Sequence, residues 1–358
     1  MTRTREEKLV HWLQAQRPGA SGMSISEFSA PAAGASNETL LFDVSWQQDG
    51  RRHEQSLVAR LQPSGPGVFP EYDLDQQYRA MSLLAHTDVP VPVLGGFEAD
   101  PAVLGTPFYL MERIKGKVIT ENPPYHMEGW FFDLSPVQRD TVWRNGIRAA
   151  ACVNRQDWRA LGFGYLDRPE LGATPLQQQL AYYRRFLTYA EARGRPYPKL
   201  RTVQVWLEAN QPQNEPVALC WGDAKAANLL LEGTEVVGVL DWEMVHLGNP
   251  VDDLAWWMTL DDSMSEGLEI MVGMEIPKVA GLPDRAAMVA LWEHDSGYSA
   301  AQLDYYLLFG AYKFGIIMAS IGNKYTSEGL VPASMEMDIK NTCTAVLDRH
   351  MAAYGIPV

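Results

Sequence analysis

Between Leu40 and Leu61 the chain alternates apolar and polar residues. Leu40, Phe42, Val44 and Trp46 fall on one face of an extended segment, and residues 56–61 read as the returning strand. Asp49-Gly50 between them is a hairpin signal, because both central positions of such a turn favour residues that tolerate positive φ. Residues 6–16 carry Leu9, Val10, Trp12 and Leu13 on one side of a short helix that Pro18-Gly19 ends. After a loop rich in Pro and Gly at 63–70, Leu74, Tyr78, Met81 and Leu84 repeat at helical spacing over 72–85. Further β-type pieces begin at Val89 and at Phe108. From about residue 114 the spacing is mostly helical, with candidates at 136–155, 174–192, 199–209, 249–260, 284–293, 299–321 and 333–353. One β hairpin interrupts them at 229–241, and no fixed-period repeat is present. The pattern predicts an α+β chain of two lobes, a small antiparallel sheet over residues 1–113 and a mainly helical part over 114–358.

Composition narrows the function. At 358 residues the chain is long enough for two lobes, and its 46% hydrophobic and 21% charged residues are ordinary for a globular protein. A net charge of −14 argues against a nucleic-acid partner, which requires a basic face. Cys152, Cys220 and Cys343 are widely spaced and form no CxxC pair, as expected in a reducing compartment; no signal peptide is evident, so the expected setting is cytoplasmic. The most apolar run, 305–321, is interrupted by Lys313 and is short for a bilayer span, so a buried helix is expected and no membrane partner.

Candidate chemistry concentrates in the stretch Cys220-Trp221-Gly222-Asp223-Ala224-Lys225-Ala226-Ala227-Asn228. Phosphoryl transfer needs a carboxylate at the attacking hydroxyl and oxygen ligands that hold Mg²⁺ on the phosphates. Asp223 supplies the first; Asn228, five residues on, supplies an amide oxygen; Asp241, eighteen residues after Asp223, ends the apolar run 235–240. A D-x-x-x-x-N spacing alone is common, but together with a carboxylate ending a buried strand it is specific. Lys225 either reaches the transferring phosphate or is a solvated loop lysine. Glu243 is either a further ligand or a structural residue. Gly34, Ser36 and Asn37 lie in a small-residue turn that suits backbone contacts to phosphate or is a plain hairpin. Arg60, on the second strand of the hairpin, suits phosphate oxygens, with Gln77 or Asp73 on the following helix as its expected partner. Glu112 ends a strand before the lobe junction, at a place for the adenine edge. Asp252 and Asp253 read as complements to a helix N-terminus that Asn249-Pro250 starts, Trp256 and Trp257 as core, and His246 as a loop histidine.

Together these residues resemble the aminoglycoside phosphotransferase family, whose fold is similar to that of protein kinases. The anchors are Gly34 to Thr39, Leu57 to Arg60, Tyr109 to Gly116, the Asp223 loop, Leu240 to Glu243 and Gly248 to Ala255. The branch it looks most like contains the kinase-like domain of acyl-CoA dehydrogenase fusion proteins. The resemblance implies Asp223 as catalytic base, Asn228 and Asp241 as Mg²⁺ ligands, Arg60 on the phosphates of ATP (GTP being the alternative donor) and Glu112 in the hinge. The implied acceptor is a small-molecule hydroxyl; members act on aminoglycosides, macrolides, choline, sugars, homoserine and, in that branch, hydroxyacyl compounds. Three positions depart from the family pattern: Trp221 for its His, Arg60 for its strand Lys and Gln77 for its helix Glu. They motivate a competing reading, a nucleotide-binding pseudokinase with a regulatory role. A carboxylate-pair hydrolase using Asp223 and Glu243 leaves Asn228 without a role. An acceptor pocket is expected around Tyr182, Tyr183, Trp256, Trp257, Asp261 and Asp262, whose acids either favour a cationic acceptor or form a solvated face.

Overall fold

A computed structural model describes residues 4–30, 38–63, 65, 67–274 and 276–357, apart from the side chains of residues 270–272. Gly34, Ser36 and Asn37 therefore lie outside the described residues. Helix α1 (Arg5–Ala15) starts with a capping box in which Thr4 and Glu7 bond each other's backbone N–H groups. Strands β1 (Ser21–Ile25), β2 (Glu38–Gln48) and β3 (Arg51–Leu61) follow, then α2 (Leu74–Leu84), β4 (Leu94–Glu98) and β5 (Phe108–Glu112). Among the described residues these strands form one antiparallel sheet in the order β1-β2-β3-β5-β4. Asp49 and Gly50 both take positive φ at the tip of the β2–β3 hairpin, as the Asp-Gly signal requires.

Alternation sorts the sheet's two faces. Leu40, Phe42, Val44, Leu57, Ala59 and Leu61 pack with Leu9, Trp12 and Leu13 of α1 in one cluster. Trp12 sets its ring edge on Phe108 and donates its indole N–H to Glu98 at 2.7 Å. Arg60, between Ala59 and Leu61, consequently points to the opposite face. There α2 and Tyr109 join a second, larger cluster that continues into the helical part.

That part comprises α3 (Pro136–Asn154), α4 (Trp158–Leu161), α5 (Pro175–Arg193) and α6 (Pro198–Ala209), then the short strands β6 (Ala218–Cys220), β7 (Leu229–Glu232), β8 (Glu235–Val239) and β9 (His246–Gly248). Helices α7 (Val251–Ser263), α8 (Glu266–Val272), α9 (Arg285–Ser296), α10 (Leu303–Ser327) and α11 (Cys343–Ala353) complete it. β7 and β8 form the expected hairpin; β6 and β9 form a second pair that brackets the Asp223 loop. Helix α10 has the length and apolarity of a membrane span, yet 94% of its most apolar window is buried inside the protein against α5, α6, α7 and α11. The helix expected over 333–353 is instead a short turn at Ala333–Met335 followed by α11. Positive φ at Glu336 ends the first piece, and the Asn341 side chain takes the N–H of Cys343 at 3.0 Å, a local bond that competes with continuous helix.

His350 of α11 is buried, and its Nε2 has no partner. Burial, aided by the neighbouring Arg349 charge, lowers its pKa from the ordinary 6.5 to about 4. Between those values the unfolded chain binds a proton that the folded chain refuses, so stability falls as pH drops from 6.5 towards 4. The loss should be on the order of 3 kcal/mol. His350→Leu should flatten that part of the urea-midpoint profile, and superimposable profiles for the two proteins would contradict the assignment.

Candidate active site

The loop between β6 and β7 is built around glycine and a buried carboxylate. Gly222 has φ +87°, and a Cβ there would lie 2.0 Å from the Met244 carbonyl oxygen, so no other residue fits without movement. Asp253 of α7 is fully buried; its two oxygens accept the N–H groups of Trp221 and Gly222, each at 2.8 Å, and the Asn154 amide at 2.7 Å. Asn154 is itself fixed by the Trp292 indole at 2.9 Å and the Leu219 carbonyl at 3.1 Å. Burial still holds the Asp253 pKa above its ordinary value, against the pull of these donors. The expectation that Asp252 and Asp253 merely complement a helix N-terminus is thus corrected. Helix α7 buries residues all round, so a carboxylate on it has no water to turn to and needs protein donors.

The braced loop presents Asp223, which is also buried. Its Oδ1 accepts the Trp256 indole N–H at 2.7 Å, and its Oδ2 accepts the Asn228 amide at 2.6 Å. The Asn228 amide also reaches the Asp223 carbonyl at 3.1 Å. A carboxylate only accepts, so the NH₂ of Asn228 faces Asp223 and its carbonyl oxygen is left for another partner. Lys225 Nζ stands 3.8 Å from Asp223 Oδ2 and 3.2 Å from Glu121 Oε2. Burial alone would depress the Lys225 pKa, but Asp223, Glu121 and Asp241 outweigh it and raise it, so the side chain stays an ammonium. Lys225 is therefore an ion-paired group turned to Asp223, not a solvated lysine.

Asp241 sits at φ 59°, in the left-handed region that Asp tolerates better than most residues. Two bonds tie its strand end to the Asp223 loop: Trp221 donates its indole N–H to the Leu240 carbonyl at 2.8 Å, and the Leu240 N–H donates to the Asn228 backbone carbonyl at 2.9 Å. Trp221, at the family's His position, thereby rebuilds a brace between the two segments. Across from it, Arg60 reaches Asp241 Oδ1 at 3.2 Å and the Thr39 hydroxyl at 3.1 Å. Burial pulls the Arg60 pKa down, but Asp241 foremost among its neighbours drives it above the ordinary value.

The expected Arg60–Gln77 or Arg60–Asp73 pairing does not form. Gln77 is buried and takes the hydroxyl of Tyr109, the cross-strand neighbour of Arg60, at 3.3 Å; Asp73 caps α2 by accepting from the Gln76 N–H at 2.8 Å. With a neutral amide on α2, the guanidinium turns to the nearest carboxylate, Asp241. Glu112 has its carboxylate on Gln55 at 2.6 Å, and the N–H groups of Glu112 and Arg113 are already bonded to Val93 and Ser56. Those donors therefore do not face a ligand.

The acidic pocket is also corrected. Asp261 is buried and accepts from the Tyr125 hydroxyl and His126 Nε2, both at 3.1 Å, and from Lys278. His126 Nδ1 accepts the Val279 N–H at 3.2 Å, so Nε2 is the protonated nitrogen. Asp262 pairs with Lys278 and Arg349. Neither acid is left for a cationic acceptor. Tyr183, Trp256 and Trp257 are core residues, yet Trp256 is also the donor to Asp223. His246 is no loop residue; it lies buried on β9, with Nε2 3.3 Å from Asp252. Sequence reasoning missed Trp256, Asp253 and Glu121. The first two had a legible signal, since polar atoms at 253 and 256 share one face of a helix with no polar side.

The geometry is that of a two-lobed, protein-kinase-like phosphotransferase. Solved structures agree: the Ralstonia eutropha protein described as a "putative aminoglycoside phosphotransferase" is 22% identical with a TM-score of 0.67, covering 97% of this chain and 98% of its own. The streptomycin-ATP-APH(2")-IIa ternary complex is 14% identical with a TM-score of 0.53, covering 94% and 99%. The signature of the phosphotransferase enzyme family matches residues 27–282, and the chain belongs to that family. Among curated proteins it is similar to the Arabidopsis thaliana protein named "Probable acyl-CoA dehydrogenase IBR3", 26% identical over 328 residues, 85% of this chain and 37% of the relative. Human acyl-CoA dehydrogenase family member 11 is 23% identical over 307 residues, 82% of this chain and 36% of the relative. The chain thus spans little more than a third of the length of these relatives.

Removing the brace should be measurable without any assay of activity. Asp253→Ala strands three donors in the core and should lower unfolding free energy by about 3–5 kcal/mol, read from urea denaturation. A change below roughly 0.5 kcal/mol, the level of a neutral surface substitution, would show that the loop does not depend on it.

Proposed function

We propose that the chain is an ATP- and Mg²⁺-dependent phosphotransferase that moves the γ-phosphate to a hydroxyl of a small molecule, with GTP as the alternative donor. Residues 1–113 then serve as the nucleotide lobe and 114–358 as the catalytic and acceptor lobe. The observation that carries this reading is the Asp223 carboxylate, held from both sides by Trp256 and Asn228 and joined through the loop to Asp241 and Arg60. A rigidly aimed carboxylate with lone pairs to spare suits an attacking hydroxyl. A module that only binds nucleotide has no use for it, and the rebuilt Trp221 brace removes one motive for the pseudokinase reading.

In the transfer, Asp223 orients the substrate hydroxyl and accepts its proton as the oxygen bonds to the γ-phosphorus and the bond to the β-bridging oxygen breaks. Lys225, kept as an ammonium, offsets negative charge on the moving phosphoryl group. Arg60 provides planar donors for the remaining phosphates. The free carbonyl oxygen of Asn228 and the carboxylate of Asp241 are hard oxygen donors that fit Mg²⁺, which would neutralise phosphate charge. Support for ATP comes from the family and from the solved ATP complex of a fold neighbour. The net charge of −14 favours a small molecule over a polyanion.

A phosphate-transfer screen over aminoglycosides, choline-like amines, sugars and hydroxyacyl thioesters tests the class; transfer to protein Ser with none to any small alcohol would overturn it. Asp223→Asn should lower kcat by about 10²–10⁴-fold with nucleotide affinity retained. Equal turnover in that variant would remove Asp223 from the chemistry. Arg60→Ala should weaken nucleotide binding, measured by titration calorimetry, and Gln77→Ala should weaken it less, because Gln77 acts on Arg60 only by way of Tyr109. An unchanged affinity in Arg60→Ala would confine Arg60 to structure.

A further inference from the structure

Lys313 sits in the middle of α10 with 1% of its surface exposed, on a helix whose residues are mostly apolar and buried. Its Nζ lies 2.8 Å from both oxygens of Asp252, which is as buried as Lys313. Lys313 pulls the Asp252 pKa below its ordinary value against the upward push of burial, so the pair is ionic. The pair is not explained by stability. Burying two charges costs desolvation that their attraction barely recovers, and apolar residues of the same volume commonly serve as well.

The surroundings of Nζ suggest a use. It is 4.9 Å from the centre of the Trp256 ring and 4.9 Å from that of Phe309, within the range of cation–π attraction. Asp252 and Trp256 are four residues apart on α7, so one helix face holds both the anion that fixes the ammonium and the indole the ammonium lies over. The same indole points its N–H at Asp223 Oδ1, 2.7 Å away. A cation over an aromatic face draws electron density from the ring and makes its N–H a stronger donor. The cation also fixes the ring's tilt, and hence the direction of the bond to Asp223.

We propose that Lys313 is a positioning residue for phosphoryl transfer: held by Asp252, its ammonium orients and polarises the Trp256 indole that in turn holds Asp223. This rests on the phosphotransferase reading of Asp223, and it does not require that Lys313 touch a substrate. The asymmetry is informative. Asn228 and Lys225 approach Oδ2 from the catalytic loop itself, while Oδ1 is held from the helical core. The core therefore sets the carboxylate's rotation and the loop sets its position.

Two readouts test this separately. Indole N–H groups of protein labelled with ¹⁵N-tryptophan are observed by ¹H–¹⁵N correlation, and the Trp256 signal is identified by its loss in Trp256→Phe. In the wild-type protein it should lie at the downfield edge of the indole set; in Lys313→Met it should move upfield. The double variant D252N/K313M, which leaves no unpaired buried charge, should show the same upfield move. In both, kcat should fall roughly tenfold while KM for ATP stays within about twofold, the split expected when a group acts through the orientation of the catalytic carboxylate. A folded variant with an unmoved Trp256 signal overturns the proposal, as does a folded variant with unchanged kcat. If neither variant folds, the wild-type spectrum decides, and a Trp256 signal in the middle of the indole set overturns it. If the wild-type protein transfers phosphate to no acceptor, the phosphotransferase reading falls, while the spectra still decide whether Lys313 acts on Trp256.

Discussion

A carboxylate removed from water must be met by donors, and Asp253 is met by the backbone of the loop that carries Asp223. That one requirement orders much of the molecule. It fixes the register between α7 and the end of β6, draws in Asn154 from α3 and Trp292 from α9, and leaves Gly222 with a backbone conformation only glycine accepts easily. The helical part is thus organised around a polar centre, with the apolar packing of α7 against α10 excluding the water that would otherwise compete.

The connection between the sheet and the helical part is electrostatic at its midpoint. Arg60 belongs to β3 and Asp241 to the end of β8, yet they meet at 3.2 Å, and the Arg60 side chain is only 13% exposed. Each partner is directed by its own segment: strand alternation sends Arg60 away from the α1 cluster, and the left-handed turn at Asp241 aims its carboxylate at the sheet. The neutral Gln77 fits this picture, since its amide takes the Tyr109 hydroxyl and the Arg60 guanidinium turns to the Asp241 carboxylate.

Much of this was legible in the residues. The Asp-Gly hairpin, the alternation that turns Arg60 outward from one cluster, and the order Asp223, Asn228, Asp241 follow from local rules that hold wherever the chain lies in space. The 333–353 segment was misjudged because a helical apolar pattern says nothing of a left-handed residue at Glu336 that ends the first turn, or of an asparagine whose side chain bonds the backbone where α11 begins. The acids at 261 and 262 were misjudged for a different reason: their partners His126, Lys278 and Arg349 come from three distant segments.

Sequence alone therefore determined most of the elements, the faces they bury and the order Asp223, Asn228, Asp241, because alternation, helical spacing and turn signals can be read along the chain itself. Tertiary structure alone decided how that set is held. Trp256, Asp253, Glu121 and Lys313 reach Asp223 or its loop from separations of 31 to 104 residues or through a second side chain, and no local pattern records such distances. The physical reason is that a buried polar atom is satisfied by whichever donor the fold brings within about 3 Å, and that neighbour is chosen by packing of whole helices, not by adjacency in the chain.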